Sequence, residues 1–203
     1  MWPPSLGNDL QIIRRSSYTA VPWKNGGGVT REAIRVPPSG EPFSWRVSLA
    51  HIESSGPFSD FTGYERKMVL LEGRGLELKF GDGRSRELRQ VGDWVEFDGA
   101  MSTHCRLLDG PCVDLNLMTS KSLKVSARLQ RLSESFIASA APGETTLIFS
   151  LEAPLLLAAG PDESARLEAW DLAVLSPGIA RLDISRPVMS SQPAAVFIAS
   201  ISQ

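Results

Sequence analysis

Short apolar runs separated by turn-forming residues are the feature that most constrains the fold of this chain. The 203 residues include 17 glycines and 14 prolines, which divide the sequence into segments typical of β-strands. In residues 44–52 (SWRVSLAHI), apolar and polar side chains alternate, which places them on opposite faces of a strand. Helical patterns of 10–15 residues do not alternate with these runs, so a doubly wound α/β fold is disfavoured. The sequence therefore predicts an all-β sandwich or barrel.

The same alternation continues along the rest of the chain. Residues 75–90 (GLELKFGDGRSRELRQ) predict a hairpin, because GDG supplies the residues of positive φ that a tight turn needs. Residues 113–118 (VDLNLM) predict a strand with Asp114 and Asn116 on one face. Further strands are expected at TTLIFSL, WDLAVLS, ARLDI and AAVFIASI. Only KSLKVSARLQRL, residues 121–132, favours a helix.

A short internal repeat suggests that the chain contains two similar halves. GDWVEFDGA at residues 92–100 resembles WDLAVLSPGIA at residues 170–180, and in both an aspartate precedes an apolar strand that ends in a glycine turn. The separation of about eighty residues is longer than a solenoid unit. Two similar barrels in tandem would explain it.

Charge and cysteine content narrow the class of protein. The formal net charge is −2, which argues against a general nucleic-acid binder, since such proteins carry a basic stripe. The N-terminal residues lack the apolar core of a signal peptide, and no apolar run approaches the roughly 18 residues that span a bilayer. With only two cysteines, Cys105 and Cys112, a disulfide framework is not expected. These features predict a cytoplasmic protein.

Motifs for metal binding and nucleophilic catalysis are absent from the sequence. His51 and His104 are the only histidines, and neither belongs to an HxH, HExxH or paired CxxC pattern. There is no GxSxG elbow, and His51 on an alternating strand is typical of a structural histidine. We therefore expect no metal, no cofactor and no nucleophile.

The glycine triplet in VPWKNGGGVTRE, residues 21–32, has two interpretations. Asn25-Gly26 is a favoured pair for a tight hairpin turn, because glycine accepts positive φ. A third glycine suggests a close approach of the backbone, or several free N–H groups that form an anion-binding nest. Lys24 and Arg31 flank the triplet and would favour the same anionic partner. The residues alone leave open whether this is a turn only or a turn beside a ligand.

Two polar stripes leave a similar choice. Arg46 and Ser48 share one face of a predicted strand, and Asp114 and Asn116 share one face of another. In a sheet with one wet face, such stripes point to solvent. In a small barrel they instead line the interior and hold a polar ligand.

Residues 22–32, 43–73 and 114–118 resemble the HutD/Ves family, which is described as cupin-like. The family's DFN appears here as DLN, with Leu115 in place of the aromatic residue. The resemblance implies a two-barrel cupin (a bicupin of RmlC-like jelly rolls) in one chain. We expect an N-terminal cupin barrel at residues 1–122 and a degenerate one at 123–203, packed as one unit. The histidine motif that ordinary cupins use for metal is missing.

The resemblance also implies a function. Members of the family are accessory proteins of histidine utilisation or are named for a stress response. The role implied is a regulator that binds an acidic intermediate such as N-formylglutamate, without catalysis, and can form a homodimer. Two alternatives are a metal-independent enzyme with Asp114 or His51 as proton shuttle, and an interaction module with a vestigial pocket.

The candidate ligand-binding residues combine these segments. Arginines and a lysine would pair with carboxylates, amides would donate hydrogen bonds, and tryptophans would wall the pocket. They are Trp23, Lys24, Asn25, Gly26, Gly27, Arg31, Trp45, Arg46, Ser48, Arg66, Asp114 and Asn116. Each also has a structural alternative: the tryptophans as core, and the arginines as partners of nearby carboxylates. One such alternative is a buried ion pair between Arg46 and Asp114.

Overall fold

A computed structural model describes residues 5–6, 10–132, 135–160, 163–187 and 194–203. These ranges contain twenty β-strands, one 3-10 turn at Arg15–Ser17 and no α-helix. The all-β expectation is therefore confirmed. The chain divides into two compact units, one of Tyr18–Ser122 and the other of Met1–Ser17 with Leu123–Gln203.

The strands alternate with short turns along the whole of the described chain. In chain order they are β1 (Ser5–Leu6), β2 (Leu10–Ile13), β3 (Thr19–Pro22), β4 (Gly28–Val36), β5 (Trp45–Ile52), β6 (Gly56–Pro57), β7 (Tyr64–Glu72), β8 (Leu76–Phe80), β9 (Ser85–Leu88), β10 (Trp94–Asp98), β11 (Thr103–Leu107), β12 (Cys112–Ser120), β13 (Lys124–Leu132), β14 (Phe136–Ala138), β15 (Thr145–Ser150), β16 (Leu155–Ala158), β17 (Ser164–Leu167), β18 (Leu172–Leu175), β19 (Leu182–Ser185) and β20 (Ala194–Ser202).

The unit of residues 18–122 is a sandwich of two antiparallel sheets. One sheet has the order β10-β7-β12-β5-β4-β3 and the other β6-β11-β8-β9. Their facing side chains form one apolar cluster, which includes Ile52, Met68 and Leu70 from the larger sheet and Leu76 and Leu78 from the smaller one. Because strand side chains alternate, the register of the larger sheet decides which polar residues share this interior.

The second unit repeats the order of four strands of the larger sheet and of all four strands of the smaller sheet. Its sheets run β1-β2-β18-β15-β20-β13 and β14-β19-β16-β17, so that β18-β15-β20-β13 matches β10-β7-β12-β5 and the two small sheets match strand for strand. Its interior cluster consists of aliphatic and alanine side chains, including Leu155, Leu157 and Ile184.

The sequence repeat coincides with this correspondence. Asp93 accepts hydrogen bonds from the N–H groups of Arg89 and Gln90 before β10, and Asp171 accepts one from Glu168 before β18. Each aspartate therefore closes the turn that leads into the equivalent strand. Gly92 has φ 89°, and at the same place in the second unit Trp170 has φ 67°, a conformation uncommon for a residue with a Cβ.

The N-terminal strand belongs with the second unit. Leu10–Ile13 pairs antiparallel with Leu172–Leu175, and Leu10 and Ile12 join the apolar cluster of that unit. The sequence division at 1–122 and 123–203 had assigned residues 1–17 to the first half. The pairing is between segments about 160 residues apart, which local patterns do not reveal.

The predicted hairpin and strands are present, and the one predicted helix is wrong. β8 pairs with β9 across the GDG turn, where Gly83 has φ 89°. The segment predicted as helix instead forms β13, which pairs with β20 over nine residues. The exposure of its side chains mostly alternates along Lys124–Leu132, as in a strand with one buried face. This pattern outweighs the helical propensity of its lysine, arginines and leucines.

Candidate functional site

The polar stripes of β5 and β12 lie inside the sandwich of residues 18–122. Ala50 and Cys112 belong to the interior cluster, and alternation from them places Ser48 and Asn116 on the same face. Ser48, Asp114 and Asn116 are all buried. Of the two interpretations that the sequence left open, the structure selects the interior.

Arg66 on β7 is the most deeply buried cation of this interior. Its side chain follows the same face as Met68, and its Nη2 donates a hydrogen bond of 2.7 Å to Oδ1 of Asn116. Burial, and secondly the charge of Arg46, lower the pKa of Arg66 to about 10, while Asp114 acts in the opposite direction. The guanidinium therefore remains charged at neutral pH although it is removed from water.

Aromatic rings surround the Arg66 guanidinium. Its carbon lies 4.9 Å from the ring centroids of both Phe58 and Phe97 and 5.6 Å from that of Phe61. Contacts at this distance stabilise a cation through the ring quadrupole. The rings also exclude water from the charge, which strengthens its interaction with any anion that reaches it.

Asp114 lies behind Arg66 and has no exposed surface. Its Oδ1 accepts a hydrogen bond from Nδ2 of Asn116, so that Asn116 links it to Arg66. Burial raises the pKa of Asp114 to about 7, against the opposing effects of Arg66 and Asn116. Its Oδ2 has no hydrogen-bond partner within the described part of the chain.

Arg46 on β5 approaches the same region from the other side of β12. Met118 pairs with both Arg46 and Arg66 in the register, which separates their Cα atoms by two strand spacings, about 10 Å. Nη2 of Arg46 lies 3.2 Å from Sδ of Met118, and Nη1 lies 4.0 Å from a carboxylate oxygen of Glu32. Burial lowers the pKa of Arg46. The sequence had suggested an ion pair between Arg46 and Asp114, but in the structure the carboxylate nearest to Arg46 is that of Glu32.

Phe61 connects the two arginines. Its ring centroid lies 5.2 Å from the guanidinium carbon of Arg46 and 5.6 Å from that of Arg66. Nε of each arginine is buried without a hydrogen-bond partner among the described residues. The arrangement, called here the arginine pair, thus offers two buried cationic donors beside one aromatic ring. A small anion is the chemical group that would satisfy both.

The glycine triplet forms a closed turn between β3 and β4. The N–H of Gly26 donates to the carbonyl of Trp23 at 3.0 Å, and the N–H of Gly27 donates to Oδ1 of Asn25 at 3.0 Å. Gly26 has φ 70°. A Cβ on Gly28 would clash with the carbonyl of His51. Gly26 and Gly28 therefore each have a local structural requirement for glycine, and the N–H groups of Gly26 and Gly27 are engaged within the turn.

The turn lies at the opposite end of β5 from the arginine pair. Gly28 pairs with Ile52, six residues along the strand from Arg46, which corresponds to about 20 Å. Lys24, Asn25 and Arg31 are exposed at that end or along β4. The structure does not bring these three residues to the arginine pair.

The two candidate tryptophans also lie away from the arginines. Trp45 is buried on the face of β5 opposite to Arg46, as alternation requires. Trp23 packs against the interior cluster beside the turn and donates from Nε1 to Oγ1 of Thr30 at 2.8 Å. Of the candidate residues, the structure groups Arg46, Ser48, Arg66, Asp114 and Asn116.

Sequence reasoning missed the aromatic residues that surround the arginines. Phe58 and Phe61 belong to the loop FSDFTG, residues 58–63, between β6 and β7. Phe43 stacks against Tyr64 with ring centroids 4.1 Å apart. The signal that could have found them is a cluster of phenylalanines beside a predicted strand that carries an arginine. Phe97 is part of the GDWVEFDGA repeat, where its partner across the sheet is Arg66.

At the positions that match Arg66, Asp114 and Asn116, the second unit has uncharged side chains. The backbone N–H of Leu70 donates to the carbonyl of Asp93, and that of Ser150 donates to the carbonyl of Asp171, which aligns the two units residue by residue. In this alignment Thr146 replaces Arg66, as the registers of β15 and β20 show. Val196 and Ile198 stand where the first unit has Asp114 and Asn116. The candidate site is thus specific to the first unit.

Outside the arginine pair, the described residues contain weaker candidates for a functional site. No group of three or more His, Cys, Asp or Glu side chains among the described residues is arranged to hold a metal ion. Cys105 and Cys112 are buried free thiols, and burial raises the pKa of Cys105 to about 12. An open cleft of about 350 Å³ in the second unit is lined by Arg14, Arg15, Ser16, Arg166, Glu168 and Asp171. The described residues include no helix that is long and apolar enough to cross a membrane.

Comparison with known proteins identifies the family. The HutD family model matches residues 15–189, and the chain therefore belongs to the HutD family. An uncharacterized 21.2 kDa protein in the hutC 3' region of Pseudomonas putida is 37% identical over 166 residues, which are 81% of this chain and 85% of the relative. Protein Ves from Escherichia fergusonii is 38% identical over 109 residues, 53% of this chain and 56% of its own length.

Solved structures agree with this assignment. A conserved protein of unknown function from Pseudomonas aeruginosa PAO1 is 28% identical with a TM-score of 0.85, covering 97% of this chain and 100% of that one. HutD from Pseudomonas fluorescens SBW25, determined in a formate condition, is 28% identical with a TM-score of 0.79, covering 96% and 99%. Oxalate decarboxylase from Lactobacillus farciminis, at 10% identity and a TM-score of 0.69 over 100% and 88%, shares the fold alone. The fold is cupin-like.

Proposed function

We propose that this member of the HutD family binds a small acidic metabolite at the arginine pair and does not convert it. The ligand class is a carboxylic acid of histidine breakdown, with N-formylglutamate as the leading candidate. Through such binding the protein would act as a regulator that limits flux in histidine utilisation.

The observation that carries this proposal is the unpaired Nε of each arginine, Arg46 and Arg66, beside the shared ring of Phe61. A buried cationic donor without a partner is costly, because the desolvation of the charge is not compensated. Asp114 interacts with Arg66, and a carboxylate oxygen of Glu32 lies 4.0 Å from Nη1 of Arg46, but neither carboxylate accepts a hydrogen bond from Nε of either arginine. A ligand carboxylate would accept these unused hydrogen bonds.

The relatives support this ligand class. One of them is encoded in the hutC 3' region, and the HutD structure of Pseudomonas fluorescens was determined in a formate condition. Formate is the smallest carboxylate, and N-formylglutamate carries two carboxyl groups and a formamide. We propose that the arginine pair binds one carboxylate and that the phenylalanine rings contact the carbon chain.

The proposed function also includes a division of roles between the two units. The shared strand order of the two units suggests a bicupin in one chain, in which the first barrel keeps the site and the second is degenerate. The exchange of Asp114 for Val196 at equivalent positions supports that division. We therefore expect one ligand per chain.

Calorimetric titration with N-formyl-L-glutamate tests the proposal. Replacing Arg46 with Met keeps an unbranched side chain between the aromatic rings but removes the charge-assisted hydrogen bond, a loss of about 1.5–3 kcal/mol or roughly 10- to 150-fold in affinity. Arg46→Lys should recover only part of the affinity, because one ammonium cannot reproduce the guanidinium fork. Arg66→Met should abolish binding. Arg74→Met is the matched control, since Arg74 is exposed and pairs with Asp109.

Thermal melts of each variant accompany the titration, so that a loss of affinity is not confused with unfolding. If Arg46→Met and Arg66→Met keep the melting temperature and bind as tightly as the Arg74→Met control, the arginine pair is not the site. If the wild-type protein binds neither N-formylglutamate nor formate, the proposed ligand class is wrong. The alternative of an interaction module with a vestigial pocket is then favoured.

A metal-independent enzyme is the second candidate, and one observation favours it. Burial raises the pKa of Asp114 to about 7, which is the range of an effective general acid or base. Proton NMR of N-formylglutamate incubated with the protein discriminates the two functions. A stoichiometric bound ligand without product supports the binding protein, and release of formate that Asp114→Asn abolishes supports the enzyme.

A further inference from the structure

Asp114 is placed where an anion bound at the arginine pair would affect it. Arg66 donates to Asn116, and Asn116 donates to Asp114, so the carboxyl group lies one side chain behind the cation. Asp114 is fully buried, and its Oδ2 is unpaired within the described chain. Ligand binding as proposed above does not itself require a carboxylate in this position.

The groups that face Asp114 leave Arg66 as its neighbouring cation. Its partners across the sheet are the neutral Ala50 on β5 and Leu70 on β7. Cys105 on β11 and Cys112 on its own strand interact with it electrostatically, and both thiols remain protonated near neutral pH because burial raises their pKa. An ionised Asp114 and a ligand carboxylate would therefore compete for the charge of Arg66.

We infer that binding of an acidic ligand at the arginine pair is coupled to protonation of Asp114, so that the protein holds its ligand more tightly as the pH falls. The inference rests on the proposed function, since it requires an anion at Arg66. The proton comes from solvent and resides on Oδ2, because Oδ1 accepts the hydrogen bond of Asn116. Protonation removes the competing negative charge without moving the arginine.

The direction follows from linkage. The raised pKa of Asp114, about 7, places its titration near neutral pH in the free protein. A ligand anion nearby raises this pKa further, because like charges disfavour ionisation. Affinity is then constant while Asp114 is protonated in both states and falls as the pH rises through the interval between the two pKa values. Each unit by which the ligand raises the pKa corresponds to a tenfold change in affinity.

Calorimetry of the wild-type chain with N-formyl-L-glutamate and with formate between pH 5.5 and 8.5 tests the inference. The carboxyl groups of both probes are more than about nine-tenths ionised throughout this range, so their own titration contributes little. Two buffers of different ionisation enthalpy give the number of protons taken up, and phosphate is avoided because it is itself a competing anion. We expect uptake of a fraction of a proton per ligand near pH 7 and a Kd at least about tenfold larger at pH 8.5 than at pH 5.5.

Two variants assign the effect. Asp114→Asn keeps the shape but cannot ionise, and we expect its Kd to vary by less than about twofold over the same pH range. Asp109→Asn is the control, because Asp109 is exposed in the same unit and should keep the wild-type pH dependence. His51, whose pKa is lowered by burial and by the charge of Arg31, is a second titratable group of this unit, and the Asp114 variant separates its contribution.

The outcomes separate this inference from the proposed function. Binding with pH-independent Kd and no proton uptake in the wild-type chain overturns the inference and leaves the proposed function intact. Uptake that persists in Asp114→Asn also overturns it. If neither probe binds at any pH, the proposed function fails and the inference fails with it. Where Asp114→Asn does not fold, absence of proton uptake by the wild-type chain still overturns the inference, and uptake that disappears in His51→Gln assigns the proton to His51 and overturns it as well.

Discussion

The Asp114→Asn variant should gain stability relative to the wild-type protein as the pH rises from acid to neutral, in the absence of ligand. This direction is unusual for the replacement of a buried polar group. The carboxyl group is fully buried, and burial raises its pKa from 3.8 to about 7. In the unfolded chain it ionises freely in water. Between these two pKa values the folded state therefore binds one more proton than the unfolded state.

The sign and the size follow from that difference. Where the folded state binds more protons, the free energy of unfolding falls as the pH rises, by about 1.4 kcal/mol per unit. From pH 5 to pH 8 the wild-type chain should lose about 2.6 kcal/mol that the variant keeps, and above pH 8 the difference should stay constant. At about 2–4 °C per kcal/mol for a chain of this size, the melting temperatures should diverge by about 5–10 °C.

Thermal melts of both proteins at half-unit intervals from pH 5 to pH 8.5 measure this divergence. The exposed carboxylates Asp82, Asp98 and Asp183 have lowered pKa values and change stability only at more acidic pH, so they do not interfere. Their contributions also cancel between the two proteins. Melting temperatures that remain parallel across this range would refute the reasoning, because Asp114 would then have an ordinary pKa.

Two further predictions concern the framework around the site. Gly28→Ala should cost about 2 kcal/mol or more of unfolding free energy, because its Cβ would meet the backbone carbonyl of His51. Gly56→Ala should be neutral, since open space surrounds that position. Urea unfolding of both variants measures the two costs, and equal costs would contradict the prediction. Asp171→Ala should cost about 3 kcal/mol, because the almost fully buried carboxylate accepts hydrogen bonds from Arg14 and from backbone N–H groups. Asp183→Ala should cost much less, because its ion pair with Arg181 is exposed. Equal melting temperatures for the two variants would contradict this prediction.

The fold was largely predictable from the sequence because side-chain alternation and turn residues, which are local patterns, determine most of its strands and hairpins. Alternation in residues 45–52 and 113–118 predicted β5 and β12 and placed Arg46, Asp114 and Asn116 on definite faces. The GDG turn predicted the hairpin of β8 and β9. The helix expected at 121–132 failed because strong helix formers there follow the strand period, and pairing with β20 decides between the two.

The site was only partly predictable because it depends on contacts between distant segments. Alternation cannot tell whether a polar face meets solvent or a second sheet, and only the sheet of β6, β11, β8 and β9 makes the face of Arg66 an interior. The composition of the glycine triplet suggested an anion-binding nest, but the close approach of Gly28 to the carbonyl of His51 gives one of its glycines a structural role. Phe61 carried no motif, and its role appears only when two arginines from different strands approach its ring.

The most direct test of the central claim is the crystal structure of the protein with N-formyl-L-glutamate. We expect one ligand per chain, with a carboxylate within hydrogen-bond distance of Nε of Arg46 and Nε of Arg66 beside the ring of Phe61. A ligand bound instead at the turn of Lys24 or in the cleft of Arg14, with none at the arginine pair, would rule out this site.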